Sequence, residues 1–273
     1  MTQIKTIVVT GASAGIGAAI AYRLAYDGHR LVLTARREDA LRAVATEAER
    51  RGAGGVLAVP ADATNREAVY AVRDAAVSTF GGFDVWINNA GRGITRSVLD
   101  LTADELDEMM TVNTKSALYG MQAAAAHFLE RGSGHLINIS SFLGRVPLAT
   151  HRSAYNAAKS ALNALTANMR VELQARNPAI HTTLVMPGLV ATEFARNTLG
   201  GSRDVAIPSG VAVQTPEQVA DVIADVIAHP KAEVYTNPDS ARTASEYFAD
   251  VGGFEARAAH PWRSTPGRVE TQR

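Results

Sequence analysis

Short apolar runs alternate with longer stretches of helical period along the whole chain. The runs Ile4 to Thr10, Arg30 to Ala35, Gly55 to Val59, Phe83 to Asn88, His135 to Ser140, Ile180 to Met186 and Glu233 to Thr236 each read as a strand. They are dense in Val, Ile and Leu without clean alternation, which is the pattern of parallel strands covered by helices on both faces. The alternation predicts an α/β chain with a doubly wound, parallel, seven-stranded sheet between two helical layers.

Helix starts sharpen the division. Thr64-Asn65-Arg66-Glu67, Thr102-Ala103-Asp104-Glu105 and Thr215-Pro216-Glu217-Gln218 all match the capping box, in which a side-chain hydroxyl and a carboxyl or amide three residues on satisfy each other's backbone N–H. The third has proline at the first helical position, where a missing N–H is no loss. Residues 103–130 read as one helix-period segment. Two regions fit less simply. Residues 193–214 contain Gly200-Gly201-Ser202 and Pro208-Ser209-Gly210 and read as an excursion that serves as a lid. After Pro238, residues Ala241, Ala244, Tyr247, Phe248 and Val251 recur at helical spacing before a Pro-, Arg- and Ser-rich end. The expected organisation is one domain over residues 1–238, lid included, then a docked helix and a loose tail over 239–273.

Composition narrows the classes of function. A chain of 273 residues suits a single α/β domain, which needs no covalent staple at this size. With no cysteine, disulfides, thiolate catalysis and zinc thiolates are excluded, and no metal site is expected. Lys and Arg number 27 and Asp and Glu 27, so no net field favours nucleic acid or an anionic membrane. Met1 to Thr10 lacks the regions of a signal peptide, and the apolar stretch Ala117 to Leu129 is short and interrupted by Gln122 and His127. A cytoplasmic protein without a membrane or nucleic-acid partner is expected.

The first predicted strand runs into Gly11-Ala12-Ser13-Ala14-Gly15-Ile16-Gly17 and then into a helix. Glycines at a strand-to-helix turn let backbone N–H groups and the positive helix end approach a diphosphate. The second strand ends Thr34-Ala35-Arg36-Arg37. An acidic residue there would take ribose hydroxyls, whereas Ala35 followed by Arg36 leaves room and charge for a 2′-phosphate. Arg37 reads as a solvated neighbour.

Tyr155 and Lys159 stand four apart in a helical pattern, hence on one face. Moving a phenol from pKa ~10 to ~7 takes roughly 4 kcal/mol. One ammonium at ~4 Å supplies about that at an effective dielectric near 20, so the pair is sufficient to give a tyrosine acidified by its lysine. The spacing alone equally describes an ordinary helix-surface pair. Ser141 follows the fifth predicted strand at its carboxyl edge, where open α/β sheets place ligands.

Together these residues resemble the short-chain dehydrogenase/reductase family over Thr6 to Phe194, specifically its compact single-domain members with the Rossmann arrangement. Thr10 to Gly17 is similar to the family's cofactor loop, Asn88-Asn89-Ala90-Gly91 to its sheet-stabilising motif, and Pro187-Gly188-Leu189-Val190-Ala191-Thr192 to its nicotinamide-binding turn. The resemblance implies an NADP(H)-dependent oxidoreductase moving a hydride between nicotinamide and a carbonyl or alcohol of a small, fairly apolar substrate. It implies that Tyr155 is the acid, Lys159 lowers its pKa and holds the ribose, Ser141 orients the carbonyl, and Asn113 keeps a water. Cofactor contacts are implied at Gly11, Ser13, Gly15, Ile16, Gly17, Arg36, Asp62, Asn88, Ala90, Tyr155, Lys159, Pro187, Val190 and Thr192. A homo-oligomer, dimer or tetramer, is implied as well. A silent dinucleotide sensor and an NADP-dependent epimerase or dehydratase are the alternatives on the same fold. The chain departs from the pattern in the loop 142–154, which is one residue longer than in many members, and in a tail that continues past the last strand.

Overall fold

The computed structural model describes residues 3–192, 194, 198–200 and 212–259. Strands β1 (Thr6–Thr10), β2 (Arg30–Ala35), β3 (Gly55–Pro60), β4 (Val85–Asn88), β5 (Gly134–Ile139), β6 (Ile180–Met186) and β9 (Glu233–Tyr235) form a seven-stranded sheet in the order β3-β2-β1-β4-β5-β6-β9. Every pairing in it is parallel. All the strands expected from the apolar runs are present, with some ends shifted by a residue or two. The first starts at Thr6 because Ile4 is half exposed, and the fourth starts at Val85 because the Phe83 N–H is taken by His127. Two further strands, β7 (Leu189–Val190) and β8 (Val213–Gln214), pair with each other apart from the main sheet.

Adjacent residues of the central strands serve opposite layers. Ile7, Val9, Leu31, Leu33 and Ile87 pack with Ile20 and Leu24 of α1 (Gly15–Tyr26), Leu41 of α2 (Glu38–Arg50) and Ile223 of α7 (Pro216–Ala228). Val8, Val32, Trp86 and Leu136 face the other way, onto Val69 of α3 (Arg66–Phe80), Met121 and Phe128 of α5 (Ser116–Arg131) and Leu162 of α6 (Ser153–Arg176). Both faces are dry, so the strands read as continuous apolar runs. No helix among the described residues is long and apolar enough to cross a membrane.

Three local expectations change. The segment 103–130 is not one helix: α4 (Ala103–Met110) passes through a π turn at Thr111–Lys115 into α5. The cap of α3 is Asn65, whose side chain accepts the Ala68 N–H at 2.9 Å. Thr64 is unavailable because its N–H and hydroxyl both donate to Asp62, at 2.9 and 2.8 Å. The tail carries two helices, α8 (Pro238–Ala249) and α9 (Val251–Ala259). Ala244 and Tyr247 of α8 and Phe254 of α9 join Phe142, Val146 and Leu148 in a small core of their own. Most of the expected lid lies outside the described residues, as does the tail beyond 259.

A buried histidine sets an acid limit on stability. His135 Nε2 lies 2.8 Å from Thr183 Oγ1, whose own hydrogen goes to Lys231 O at 2.6 Å, so the imidazole nitrogen is the donor. Burial first, and then the charge of His181, push its pKa down to about 3. An unfolded histidine titrates near 6.5, so its share of stability is intact above that pH and is lost as pH falls toward 3. Denaturation at pH 7 and pH 4 is expected to differ by about 3 kcal/mol more in the parent than in His135→Gln. Equal slopes would remove His135 from the account.

Candidate active site

The strand order reverses between β1 and β4, and ligands of open α/β sheets sit at the carboxyl ends of strands at such a point. Here the glycine loop leaves β1 and residues 88–91 leave β4. Asn89 ties them: its Nδ2 donates to Thr10 O at 2.9 Å and Gly11 O at 3.2 Å. Thr10 Oγ1 accepts the N–H groups of Asn89 and Ala90 at 3.0 and 3.1 Å. Gly11 has φ +67°, and a Cβ there would stand 2.8 Å from Ala90 Cα. Inside α1, a Cβ on Gly17 would strike the Gly11 carbonyl and come within 2.6 Å of Asn89 Nδ2. The helix therefore starts directly under the loop. Ala14, at its N-cap, offers no side-chain acceptor, so the N–H groups of Gly15, Ile16 and Gly17 keep no capping partner from Ala14. A positive helix end without a side-chain cap, beside a glycine cradle, fits a diphosphate. Thr192 closes the far side of that cradle, its Cγ2 3.4 Å from where a Gly15 Cβ would lie.

Arg36 and Arg37 are exposed at the end of β2, before α2. Arg37 Nη2 lies 3.5 Å from Ser13 Oγ, so the residue read as a solvated neighbour leans over the glycine loop. Sequence pattern missed it because either of two adjacent arginines can face the loop. Asp62 keeps one carboxylate oxygen beyond its bonds to Thr64, and beside it a hollow is lined by Thr10, Thr34, Ala61, Ala63, Val69, Val72 and Trp86. Thr34 Oγ1 is buried there without a partner.

Asn88 is placed differently from the ribose contact implied by resemblance. Its Oδ1 accepts Trp86 Nε1 at 2.8 Å, while Nδ2 donates to Asn138 Oδ1 at 2.8 Å and Ala117 O at 3.2 Å. The whole amide is spent inside the core between β4, β5 and α5, so its side chain is not available to a ligand.

Ser141 leaves β5 and caps a short 3-10 turn, accepting the Leu143 N–H at 3.1 Å. The turn is held by α6: Asn163 Nδ2 and Ser160 Oγ both donate to Gly144 O at 2.9 Å. Gly144 has no room for a side chain, since a Cβ would sit 2.8 Å from the backbone carbon of Lys159. Phe142 N donates to Pro187 O at 2.8 Å, which fixes Pro187 beside Ser141. Val190 pairs with Gln214, and Thr192 Oγ1 accepts the Phe194 N–H at 3.2 Å.

Tyr155 and Lys159 share one face of α6, with Nζ 5.7 Å from the phenol ring centre. Lys159 is buried, donates to Ile139 O at 2.9 Å, and is lowered by burial to about 8. Tyr155 is buried too, and desolvation pushes it up to about 12, opposed by a hydrogen bond with Ser141 and by the charge of Arg152. The Tyr155 phenol is thus shifted away from neutrality, opposite to the direction that its spacing from Lys159 suggested. Burial outweighs the hydrogen bond with Ser141 and the charge of Arg152, and the Lys159 ammonium donates to a backbone carbonyl. Asn113 lies in the π turn, fully buried. Its Nδ2 donates to Arg92 O and Met109 O at 2.9 and 3.1 Å, and its Oδ1 accepts the Arg92 N–H at 3.1 Å. A Cβ on Gly91 would lie 2.9 Å from Asn113 Oδ1 and 3.6 Å from Lys159 Nζ, so Asn113 borders the lysine.

A glycine cradle at the strand-order reversal, next to a serine, tyrosine and lysine on the neighbouring strand and helix, defines an oxidoreductase of the nucleotide-binding α/β class. The family model for short chain dehydrogenases matches residues 5–201, and the chain belongs to that short-chain dehydrogenase/reductase family. An uncharacterized oxidoreductase of Staphylococcus aureus strain N315 is 36% identical over 227 residues, covering 83% of this chain and 92% of the relative. A short-chain dehydrogenase from Sphingobium yanoikuyae in complex with NADPH superposes with TM-score 0.77 at 26% identity, covering 99% of this chain and 98% of that one. A short chain dehydrogenase/reductase from Burkholderia phymatum in complex with NAD gives TM-score 0.82 at 25% identity, with 99% of each chain covered.

Proposed function

We propose that the protein is an NADP(H)-dependent carbonyl reductase, running the reverse alcohol oxidation at high pH, with NADP(H) held across the carboxyl ends of β1, β2 and β4. The observation that carries this reading is the grouping of Ser141, Tyr155 and Lys159 beside the glycine cradle. When bound, the nicotinamide supplies or accepts the hydride. Tyr155, protonated across the physiological range, gives its phenolic proton to the carbonyl oxygen as negative charge builds there. Ser141 donates to the same oxygen and orients it. Lys159 steadies the phenolate that remains and holds the ribose. The water expected at Asn113 falls to the main chain of the π turn, because the side-chain amide is already committed to Arg92 and Met109.

For the dinucleotide, the α1 amides with Gly11, Gly15, Ile16 and Gly17 receive the diphosphate. Asp62 and Ala90 lie on the adenosine side, and Pro187, Val190 and Thr192 on the nicotinamide side. Ser13, Arg36 and Arg37 surround the 2′-phosphate, each charge-assisted bond contributing ~1.5 to 3 kcal/mol. Arg36→Ala is therefore expected to weaken NADPH relative to NADH by roughly 10- to 150-fold, read by fluorescence titration of each cofactor. An equal loss for both would remove the phosphate assignment. The activity itself is tested with a panel of ketones and alcohols and each cofactor, followed by nicotinamide absorbance; no turnover across the panel would refute it.

A further inference from the structure

Arg152 precedes α6, three residues before Tyr155, and is partly buried. Its Nη1 donates to Ile94 O and to Thr198 Oγ1, each at 3.1 Å, which uses both hydrogens of that nitrogen. Thr198 in turn donates to Phe194 O at 3.0 Å, and the Phe194 ring lies edge-on to Tyr155 with centres 5.5 Å apart. Gly93 backs the cluster: a Cβ there would stand 2.8 Å from Phe194 Cε1 and 3.0 Å from Arg152 Nη1. Guanidinium and phenyl ring thus form one wall next to the phenol, close enough that Tyr155 feels the Arg152 charge.

That charge has no carboxylate within ion-pair distance among the described residues. Arg92, Arg96 and Arg145, on the surrounding segments, pair with Glu108, Glu105 and Glu233. An arginine that is half withdrawn from water and sits at the positive end of a 24-residue helix is unfavourable without a counter-charge. Burial lowers its pKa accordingly. Unpaired charges beside a reacting group are characteristic of ligand sites. The edge formed by Nε and Nη2 meets no acceptor among the described residues, and neither atom is sealed from solvent. Two parallel N–H groups on that edge match a carboxylate in bidentate fashion.

We propose that Arg152 binds a carboxylate of the substrate, so that the protein reduces oxo acids and oxidises the corresponding hydroxy acids. The inference rests on the reductase reading of Tyr155. In reduction, hydride from NADPH forms the new C–H bond at the carbonyl carbon, the C=O π pair moves to oxygen, and the Tyr155 proton completes the hydroxyl, leaving NADP+. Arg152 takes no part in those transfers; it selects and orients.

The test compares 2-oxo, 3-oxo and 4-oxo acids with their methyl esters. At one chain length or more, kcat/KM of the parent protein is expected to favour the acid by about 10- to 150-fold, mainly through KM. The ratio is expected to collapse in Arg152→Gln and to return in part in Arg152→Lys. A parent ratio near one throughout overturns the proposal and needs no variant. So does an equal loss for acid and ester in Arg152→Gln, which would mark a structural or electrostatic role. If nothing is turned over, the reductase reading fails, and calorimetry of phenylacetate and methyl phenylacetate with the NADPH-supplemented protein decides for Arg152. Acid binding that is lost in Arg152→Gln supports it, and equal binding of acid and ester sinks it.

Discussion

Turnover of Tyr155→Phe is expected to fall by about 10²- to 10⁴-fold, with NADPH affinity nearly unchanged. Only one oxygen is removed. The ring that packs on Phe194 and joins Ile94, Met109 and Ala158 in a buried cluster stays in place, so the fold has no reason to shift. What disappears is the group that gives its proton to the carbonyl oxygen. Steady-state kinetics with a cofactor titration on the same sample checks the result, and turnover close to that of the parent would refute the proposed acid.

Lys159→Met is expected to separate activity from stability. The buried ammonium, lowered to about 8 from an ordinary 10.5, costs the folded state about 3 kcal/mol at neutral pH, because the unfolded chain binds that proton more readily. Removing it at similar volume, less the bond to Ile139 O, should raise the melting temperature by several degrees. Reduction should fall by about 10²- to 10³-fold, since the phenolate left after proton transfer loses its neighbouring charge. The pH profile gives the sign. In the parent, reduction should decline as pH rises through about 8 or above, the phosphates of the cofactor moving that limb upward, while oxidation gains from a deprotonated phenol. The declining limb should be missing in Lys159→Met. If it persists, Lys159 is not its source.

The main sheet was legible because its strands are buried on both faces and so carry an apolar run whatever their neighbours. Strands β7 and β8 were not: two residues each, they exist only because the chain returns beside Leu189. The π turn was hidden for a related reason, since apolar period runs through 103–130 while the inward amide of Asn113 competes for Met109 O. Side-chain competition also moved the α3 cap, where Asp62 had already taken Thr64.

At the site, spacing was enough to put Tyr155 and Lys159 on one face, yet it carries no measure of desolvation, and burial reversed the direction of the Tyr155 shift. Asn88 looked like a ligand because a motif does not say which way a side chain turns. Ser160 and Asn163, which hold the turn after Ser141 in place, belong to no spacing rule. Arg152 likewise belongs to no spacing rule, because its lack of a carboxylate partner among the described residues depends on which segments fold beside it.

The small core formed by Ala244, Tyr247 and Phe254 over Phe142, Val146 and Leu148 bears on the order in which the molecule is completed. A chain emerging from the ribosome has all its main-sheet strands once Tyr235 is out, but the segment following Ser141 still lacks its cover. Burial of Phe142, Val146 and Leu148 therefore waits for residues about a hundred positions downstream, and a nascent chain halted before Ala244 would hold its main-sheet strands while this core is still uncovered.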